Sequence, residues 1–389
     1  MQKLCRWFHK CFLLFALAAL NFALVNGCRW AIYASSDQDI HAAAFLVSSS
    51  HSLLKQTSGK PFLPGVCDGL YYDLDKLYIR NHETNQDGWG VGWIDDEGFL
   101  SRERSAYGAA VDDVPHPDYL NCANNVSSKM IFAHIRAATD TATTPENAHP
   151  FVYNKVLWQH NGGVPNRNAL DALLIERGVD LNSTVVGDTD SEHVGALFGH
   201  YLKDHELSQD VCVRDDFKKQ ELIDAMLYTL RDLKGISDET CAHSSLNLAA
   251  SDGETVIVTR YRTDPEEDPP SLYFSLGEHW NADKERMETL SNDGGRSHVM
   301  VGKSLVVSSE PLGRSGTGWI SLCKDEMLIY DRKQSKVEFL CLTESCRKDY
   351  THRCNVMSKK GAVYSRDCTD PPPLAGIITS WIPEGKNEL

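Results

Sequence analysis

Hydrophobic residues fall into short runs that read as strands, with two longer stretches of helical spacing between them. CRWAIYAS, Cys28 to Ser35, is an apolar strand that starts on a cysteine, and Met130 to Arg136 is a buried strand ending in a charge. Lys155 to Gln159 predicts a third strand, running into His160-Asn161-Gly162-Gly163 as a strand-to-glycine junction. Val194, Leu197, Phe198, Tyr201 and Leu202 recur at helical spacing behind Thr189-Asp190-Ser191-Glu192, where Thr189 and Glu192 have the spacing of a capping box. A second helix is expected over 217–233, with Leu222, Met226, Leu230 and Leu233 on one side. Strands then follow at 245–250, 255–261, 271–274, 304–307, 327–330 and 336–340. The acidic, proline-rich 263–270 and the polar 278–298 read as surface loops. No internal repeat or low-complexity tract interrupts the pattern.

The first 27 residues depart from it. Lys3, Arg6 and Lys10 precede an apolar run from Phe12 to Val25, and Val25 and Gly27 supply small residues at the −3 and −1 positions of a secretory cleavage site. The run is short of the about 20 residues that span a bilayer, so stable membrane insertion is not expected. Cleavage after Gly27 makes Cys28 the first residue. The formal charge of −15 disfavours nucleic acid and anionic membranes as partners.

Loss of the leader removes Cys5 and Cys11 and leaves ten cysteines, four of them (Cys341, Cys346, Cys354, Cys368) in a proline-containing extension, 341–389. No CxxC pair is present, so disulfides are expected and a metal site is not. If Cys28 is free, an odd number remains and a further thiol is unpaired. Asn125-Val126-Ser127 and Asn182-Ser183-Thr184 are glycosylation sequons, and the chain ends KNEL, one substitution from a lumenal retention tetrapeptide. These features agree on a secretory route, ending in the ER lumen or in secretion.

Several polar groups carry candidate chemistry. In NQDGWGVGW, Asn85 to Trp93, three glycines alternate with large residues, which fits a tight turn at Asp87-Gly88 and a strand closely approached by another backbone or a ligand. It lacks the pattern of a phosphate loop. Asn161 and Gly162 can present a side-chain amide beside a bare backbone N–H, as an oxyanion hole requires. Arg136 reads as a structural ion pair or an anion ligand, and Asp190 as a helix-dipole partner or an ammonium acceptor. His134, His149 and His160 allow a Cys–His protease reading, against which structural hydrogen bonding is the default. His51 reads as a structural or substrate-loop histidine.

The order of these motifs, a terminal Cys followed by DGWG, HIRAAT, NAHPF, HNG and TDSE, resembles the class II glutamine amidotransferases, which are N-terminal-nucleophile hydrolases. CRW, HSLLKQ and DGWGVGW look like the branch with the γ-glutamyl hydrolase of ergothioneine synthesis and the amidotransferase-like subunit of glutathione degradation. LNLAASDG and SEPL extend the similarity, which covers roughly 28–340. It implies an α+β fold, a four-layer α/β/β/α sandwich, without cofactor or metal. It implies Cys28 as nucleophile with its own α-amine as base, and Asn161 and Gly162 as the oxyanion pair. Arg136 would bind the substrate carboxylate and Asp190 its α-ammonium, with Gly88 and Trp89 as secondary substrate contacts. The implied activity is hydrolysis of a γ-glutamyl amide. Delivery of ammonia to a separate synthase partner and an inactive γ-glutamyl-binding relative are the alternatives. Acylation of Cys28 as a lipoprotein would block the amine, and Asn26 suits a lipobox poorly.

Overall fold

A computed structural model describes residues 28–57, 86–95, 97–111, 114–138, 141–202, 218–288, 299–313 and 318–347. The leader, Cys67, Cys212, Cys354, Cys368 and the extension beyond residue 347 lie outside the described residues.

The elements that position the site are, in chain order, β1 (Arg29–Ser35), β2 (Trp89–Ile94), β3 (Leu100–Ser105), α1 (Pro117–Asn125), β4 (Met130–Ile135), β5 (Phe151–Tyr153), β6 (Val156–Gly163), α2 (Arg167–Glu176), α3 (Asp190–Tyr201) and α4 (Lys219–Thr240). There follow β7 (Ser245–Ser251), β8 (Thr255–Arg262), β9 (Tyr273–Gly277), β10 (Val299–Val301), β11 (Ser304–Ser308), β12 (Ile320–Ser321), β13 (Glu326–Asp331) and β14 (Lys336–Cys341). One seven-stranded sheet runs β12-β9-β11-β1-β4-β2-β3, and a second runs β10-β14-β13-β8-β7-β6-β5. Among the described residues the pairings within them are antiparallel, as in β1 with β4 and β6 with β7.

Strand alternation explains how the sheets stack, because successive side chains leave on opposite faces. Trp30, Ile32 and Ala34 of β1 pack with Phe132, Leu157, Val258 and Tyr330 in a core between the two sheets. Ala31 and Tyr33 face the other way, into a layer with Phe45, Leu46, Tyr119 and Cys122, the last two from α1. Over the second sheet, Trp158, Leu246 and Leu248 meet Val194, Phe198, Leu222, Met226 and Leu230 of α3 and α4. The result is the expected four-layer α/β/β/α sandwich. Central strands buried on both faces read as unbroken apolar runs, which is why they stand out in the sequence.

Three expectations are corrected. α4 runs to Thr240, past residue 233, with Gly235, Ile236 and Ser237 buried and Lys234 paired to Asp238 one turn on. It stops at Cys241, whose φ of 55° is left-handed. The polar stretch after residue 278 contains a hairpin, His279–Asn281 with Arg286–Glu288, that buries Trp280 and Met287. The expected junction at residues 160–163 is strand, because β6 pairs with β7 as far as Gly163 opposite Ser245.

Cys341 and Cys346 are disulfide-bonded, with Cα atoms 5.6 Å apart, and Cys241 and Cys323 are also in disulfides. Cys28 and Cys122 are free thiols. The Cys341–Cys346 loop is tied down by Thr343, whose hydroxyl donates to Asp325 Oδ2 at 2.9 Å and accepts from the Cys346 N–H at 3.2 Å. Asp325 Oδ1 is buried without a partner among the described residues. Burial pushes this carboxyl up to about 6, above the roughly 3.9 of an unfolded aspartate. The folded chain therefore holds the proton more tightly. That contribution is complete below the unfolded value and is lost as pH rises through 6, at a cost of about 3 kcal/mol. Asp325→Asn keeps the acceptor and suits a left-handed φ of 61°. It is expected to raise stability at pH 8 by about 1–3 kcal/mol, with the gain fading towards pH 4 in denaturant melts. A pH-independent difference would show that the carboxyl is not the titrating group.

Candidate active site

The inter-sheet face of β1 continues backwards to Cys28, two residues before Trp30. The same alternation along β4, through Met130, Phe132 and His134, leads to Arg136, and along β6, through Leu157 and Gln159, to Asn161. Cys28 and Arg136 thus lie just off the ends of the paired strands β1 and β4, and Asn161 lies near the end of β6 in the facing sheet, on the side of the cleft between the sheets. β1 and β4 are directly paired, Arg29 opposite Ile135, and His134 Nε2 reaches across the layers to the His160 carbonyl at 3.3 Å.

Cys28 is partly buried. Its Sγ accepts the Ala137 N–H at 3.3 Å and lies 3.7 Å from the Ala137 carbonyl. Burial pushes the thiol above the ordinary range, opposed by the Ala137 N–H and by the charges of Arg136 and Arg29, while the charge of Asp190 adds to the rise. A thiol so placed is protonated at neutral pH and needs a base before it can attack.

Arg136 is 3% exposed. Its guanidinium donates to the carbonyls of Ala142 at 3.0 Å, Asp87 at 3.4 Å and Thr141 at 3.5 Å, and to Thr141 Oγ1. Among the described residues it makes no salt bridge. A buried cation held only by neutral acceptors is expensive, so the structural ion pair considered for it is not what holds it. The Asp87-Gly88 turn frames it: Gly88 O accepts from the Arg136 N–H at 2.9 Å, and the Asp87 carboxylate accepts from Ala138 N at 2.8 Å. Trp89 is directed away from the cleft. Its indole is 1% exposed and lies edge-on to Tyr119, 5.3 Å between centroids, so only its backbone borders the turn. A Cβ on Gly90, on the cleft side of the same strand, would lie 1.9 Å from the His149 carbonyl, the close backbone approach its sequence suggested.

Asn161 is 1% exposed, and among the described residues neither its Nδ2 nor its Oδ1 has a hydrogen-bond partner. Beside it Gly162 has φ 151°, and a Cβ there would sit 1.9 Å from the Ser245 carbonyl. Only glycine combines this φ with so close an approach of β6 to β7.

Asp190 is the first residue of α3 and is half-buried. Oδ2 accepts from Val164 N at 2.6 Å and Oδ1 from Ser191 N at 2.7 Å. The helix N-terminus favours its charge. Thr189 caps this helix by accepting from Glu192 N at 3.1 Å. The capping box is only half formed, because Glu192 turns back to Val186 N and Gly187 N instead. Asn147 joins the loops on either side, with its amide on Ala142 O and Asp188 and its oxygen on Asp188 N.

The three histidines are buried and uncharged. Burial lowers His134 to about 3 and His149 and His160 below the usual range. His160 Nε2 lies 2.9 Å from the Ser245 carbonyl and must donate, which leaves Nδ1 to accept from the Ser191 hydroxyl at 2.9 Å. His134 and His149 stack, 4.0 Å between centroids. None is arranged as a protonatable partner for the thiol.

Sequence reasoning missed Ala137, whose N–H holds the sulfur, and Thr141 and Ala142, which hold Arg136. Backbone donors and acceptors leave no residue-type signal.

A four-layer α/β/β/α sandwich with a cysteine at the head of a central strand is an N-terminal-nucleophile hydrolase architecture. Comparison with known proteins narrows the class. The profile of "Glutamine amidotransferases class-II" matches residues 72–351. The chain belongs to that family and is an enzyme of the glutamine amidotransferase type. It is 28% identical over 376 residues to the probable glutamine amidotransferase DUG3 of Saccharomyces cerevisiae, covering 93% of this chain and 96% of that one. It is 32% identical over 118 residues to the γ-glutamyl-hercynylcysteine sulfoxide hydrolase of Mycolicibacterium smegmatis, covering 29% of this chain and 44% of that protein. A solved glutamine aminotransferase class-II domain protein from Silicibacter pomeroyi aligns with a TM-score of 0.46 at 19% identity, over 80% of this chain and 98% of that one.

Proposed function

We propose that the protein hydrolyses a γ-glutamyl amide, glutamine or a larger γ-glutamyl compound, through a thioester on Cys28. The observation that carries this reading is a buried Asn161 amide without a partner among the described residues, together with a buried Arg136 guanidinium that makes no salt bridge among them and whose charge acts on the Cys28 thiol. A γ-glutamyl group supplies a carboxylate for Arg136, an ammonium for Asp190 and a carbonyl whose developing oxyanion needs the Asn161 and Gly162 N–H donors.

In the proposed sequence the Cys28 α-amine takes the thiol proton as sulfur attacks the δ-carbonyl. The tetrahedral intermediate collapses, and the same proton passes to the departing amine. Water, deprotonated by the α-amine, then attacks the thioester, releasing glutamate and restoring the thiol. Two relatives, one named a probable glutamine amidotransferase and one a γ-glutamyl hydrolase, support the substrate class.

The amine exists only if the chain is cut after Gly27, so secretory processing and activation would be one event. A lumenal or secreted location, with sugar on the exposed Asn125 and Asn182, belongs to the same proposal. The test is a glutamine-like diazoketone followed by peptide mapping. Label is expected on an N-terminal Cys28 peptide, and label on any other cysteine overturns the assignment.

A further inference from the structure

The cleft face of β1 carries Cys28, but its opposite face carries a second constellation whose hydrogen bonds the chemistry above does not use. Arg29 is on that outer face, in phase with Ala31 and Tyr33. Its Nε donates to Glu310 Oε1 at 2.6 Å, and its Nη1 donates to the Cys28 carbonyl at 3.1 Å. Glu310, 1% exposed, uses its other oxygen to bind His51 Nε2 at 2.7 Å. Burial opposes ionisation of this carboxyl, yet Arg29 and His51 hold it below the usual range.

The neighbouring backbone joins in. Ser309 Oγ accepts from Trp30 N at 3.0 Å, Ser309 N donates to Trp30 O at 2.9 Å, and Ser271 Oγ fixes the Ser309 carbonyl at 3.0 Å. His51 N donates to Leu312 O at 2.9 Å. Residues 309–312, which continue from β11, therefore grip Cys28 and the first two residues of the strand: Trp30 directly, Arg29 by the ion pair and Cys28 through Arg29.

A catalytic residue that ends a chain has no preceding residue to hold it, and free termini fray. Its thiol and amine must nevertheless stay within a fraction of an ångström of one geometry. We propose that Glu310 is a positioning residue, clamping Arg29 and through it the Cys28 backbone so that the terminal nucleophile and its amine are held in register from the face opposite the substrate. This rests on Cys28 being the nucleophile. It assigns Arg29 to the scaffold and not to substrate, since Nε and Nη1 are committed away from the cleft.

The experiment uses chains that begin at Cys28, with γ-glutamyl-p-nitroanilide as substrate. Glu310→Gln keeps the shape and removes the charge, and Arg29→Lys keeps the charge and removes the fork that reaches two acceptors at once. Each is expected to lower kcat by about 100-fold with KM nearly unchanged, because Arg136 and Asp190 are untouched. Cooperative melting shows that the variant is folded, and if Glu310→Gln fails to fold, Arg29→Lys decides. A folded variant with parental kcat, or a loss carried entirely by KM, overturns the proposal. Activity surviving in Cys28→Ala would instead sink the nucleophile reading itself, whatever these two variants do.

Discussion

Asn161→Ala is expected to lower kcat on a γ-glutamyl amide by about 10²–10³-fold while leaving the thermal midpoint close to that of the parent. The two halves have one cause. The Asn161 amide is buried, and among the described residues neither of its polar atoms has a partner. An unsatisfied buried polar group costs about 1–3 kcal/mol, so truncation removes a penalty along with some packing, and the fold loses little. Catalysis loses a donor aimed at charge that exists only in the transition state, and that loss falls on kcat rather than KM. Steady-state kinetics beside thermal melting separate the effects. A parental kcat would remove Asn161 from the oxyanion role.

Gly162→Ala would be a poorer probe of the same site. Its Cβ would meet the Ser245 carbonyl, so backbone must shift and a loss of activity would not distinguish chemistry from folding.

How far the sequence carried the site depends on what each residue does. Arg136 was legible because it ends an apolar strand, where a charge needs a reason, Cys28 because an apolar leader with a cleavage pattern stops just before it, and Asn161 because it stands at a strand-to-glycine junction. Alternation in those runs also fixes which face each occupies. Trp89 stands in the glycine-rich motif, and its parity with Val91 sends the indole to the α1 side and leaves its backbone at the turn. Glu310 was visible only as part of a matched tetrapeptide, because pairing with Arg29 and His51 spans most of the chain and is set by the β1–β11 register. α4 was underestimated because Gly235 and a run of polar residues conceal a turn that is buried by packing, not by its own pattern. The hairpin at 279–288 was missed for a related reason, since two apolar residues among many charges do not make a periodic signal.

Cys28→Ala is expected to abolish hydrolysis, and so is any chain that keeps a residue before Cys28, while both remain folded. The thiol is pushed up by burial, with only the Ala137 N–H and the charges of Arg136 and Arg29 opposing, so at neutral pH it is protonated and attack requires a base. The nearby histidines are neutral and committed to other partners or to stacking. The α-amine remains, with a reference value of about 7.7–8.0. It acts as a base only when unprotonated, so kcat/KM should rise with pH through that range, tenfold per unit on the acid side. Acylating the amine, or retaining Gly27, turns it into an amide that cannot accept the proton and should flatten the activity to the Cys28→Ala background. The decisive comparison is therefore among three chains of matched fold: one beginning at Cys28, one at Gly27, and Cys28→Ala. Equal activity in the first two would show that the base lies elsewhere, and activity in the third would show that the nucleophile does.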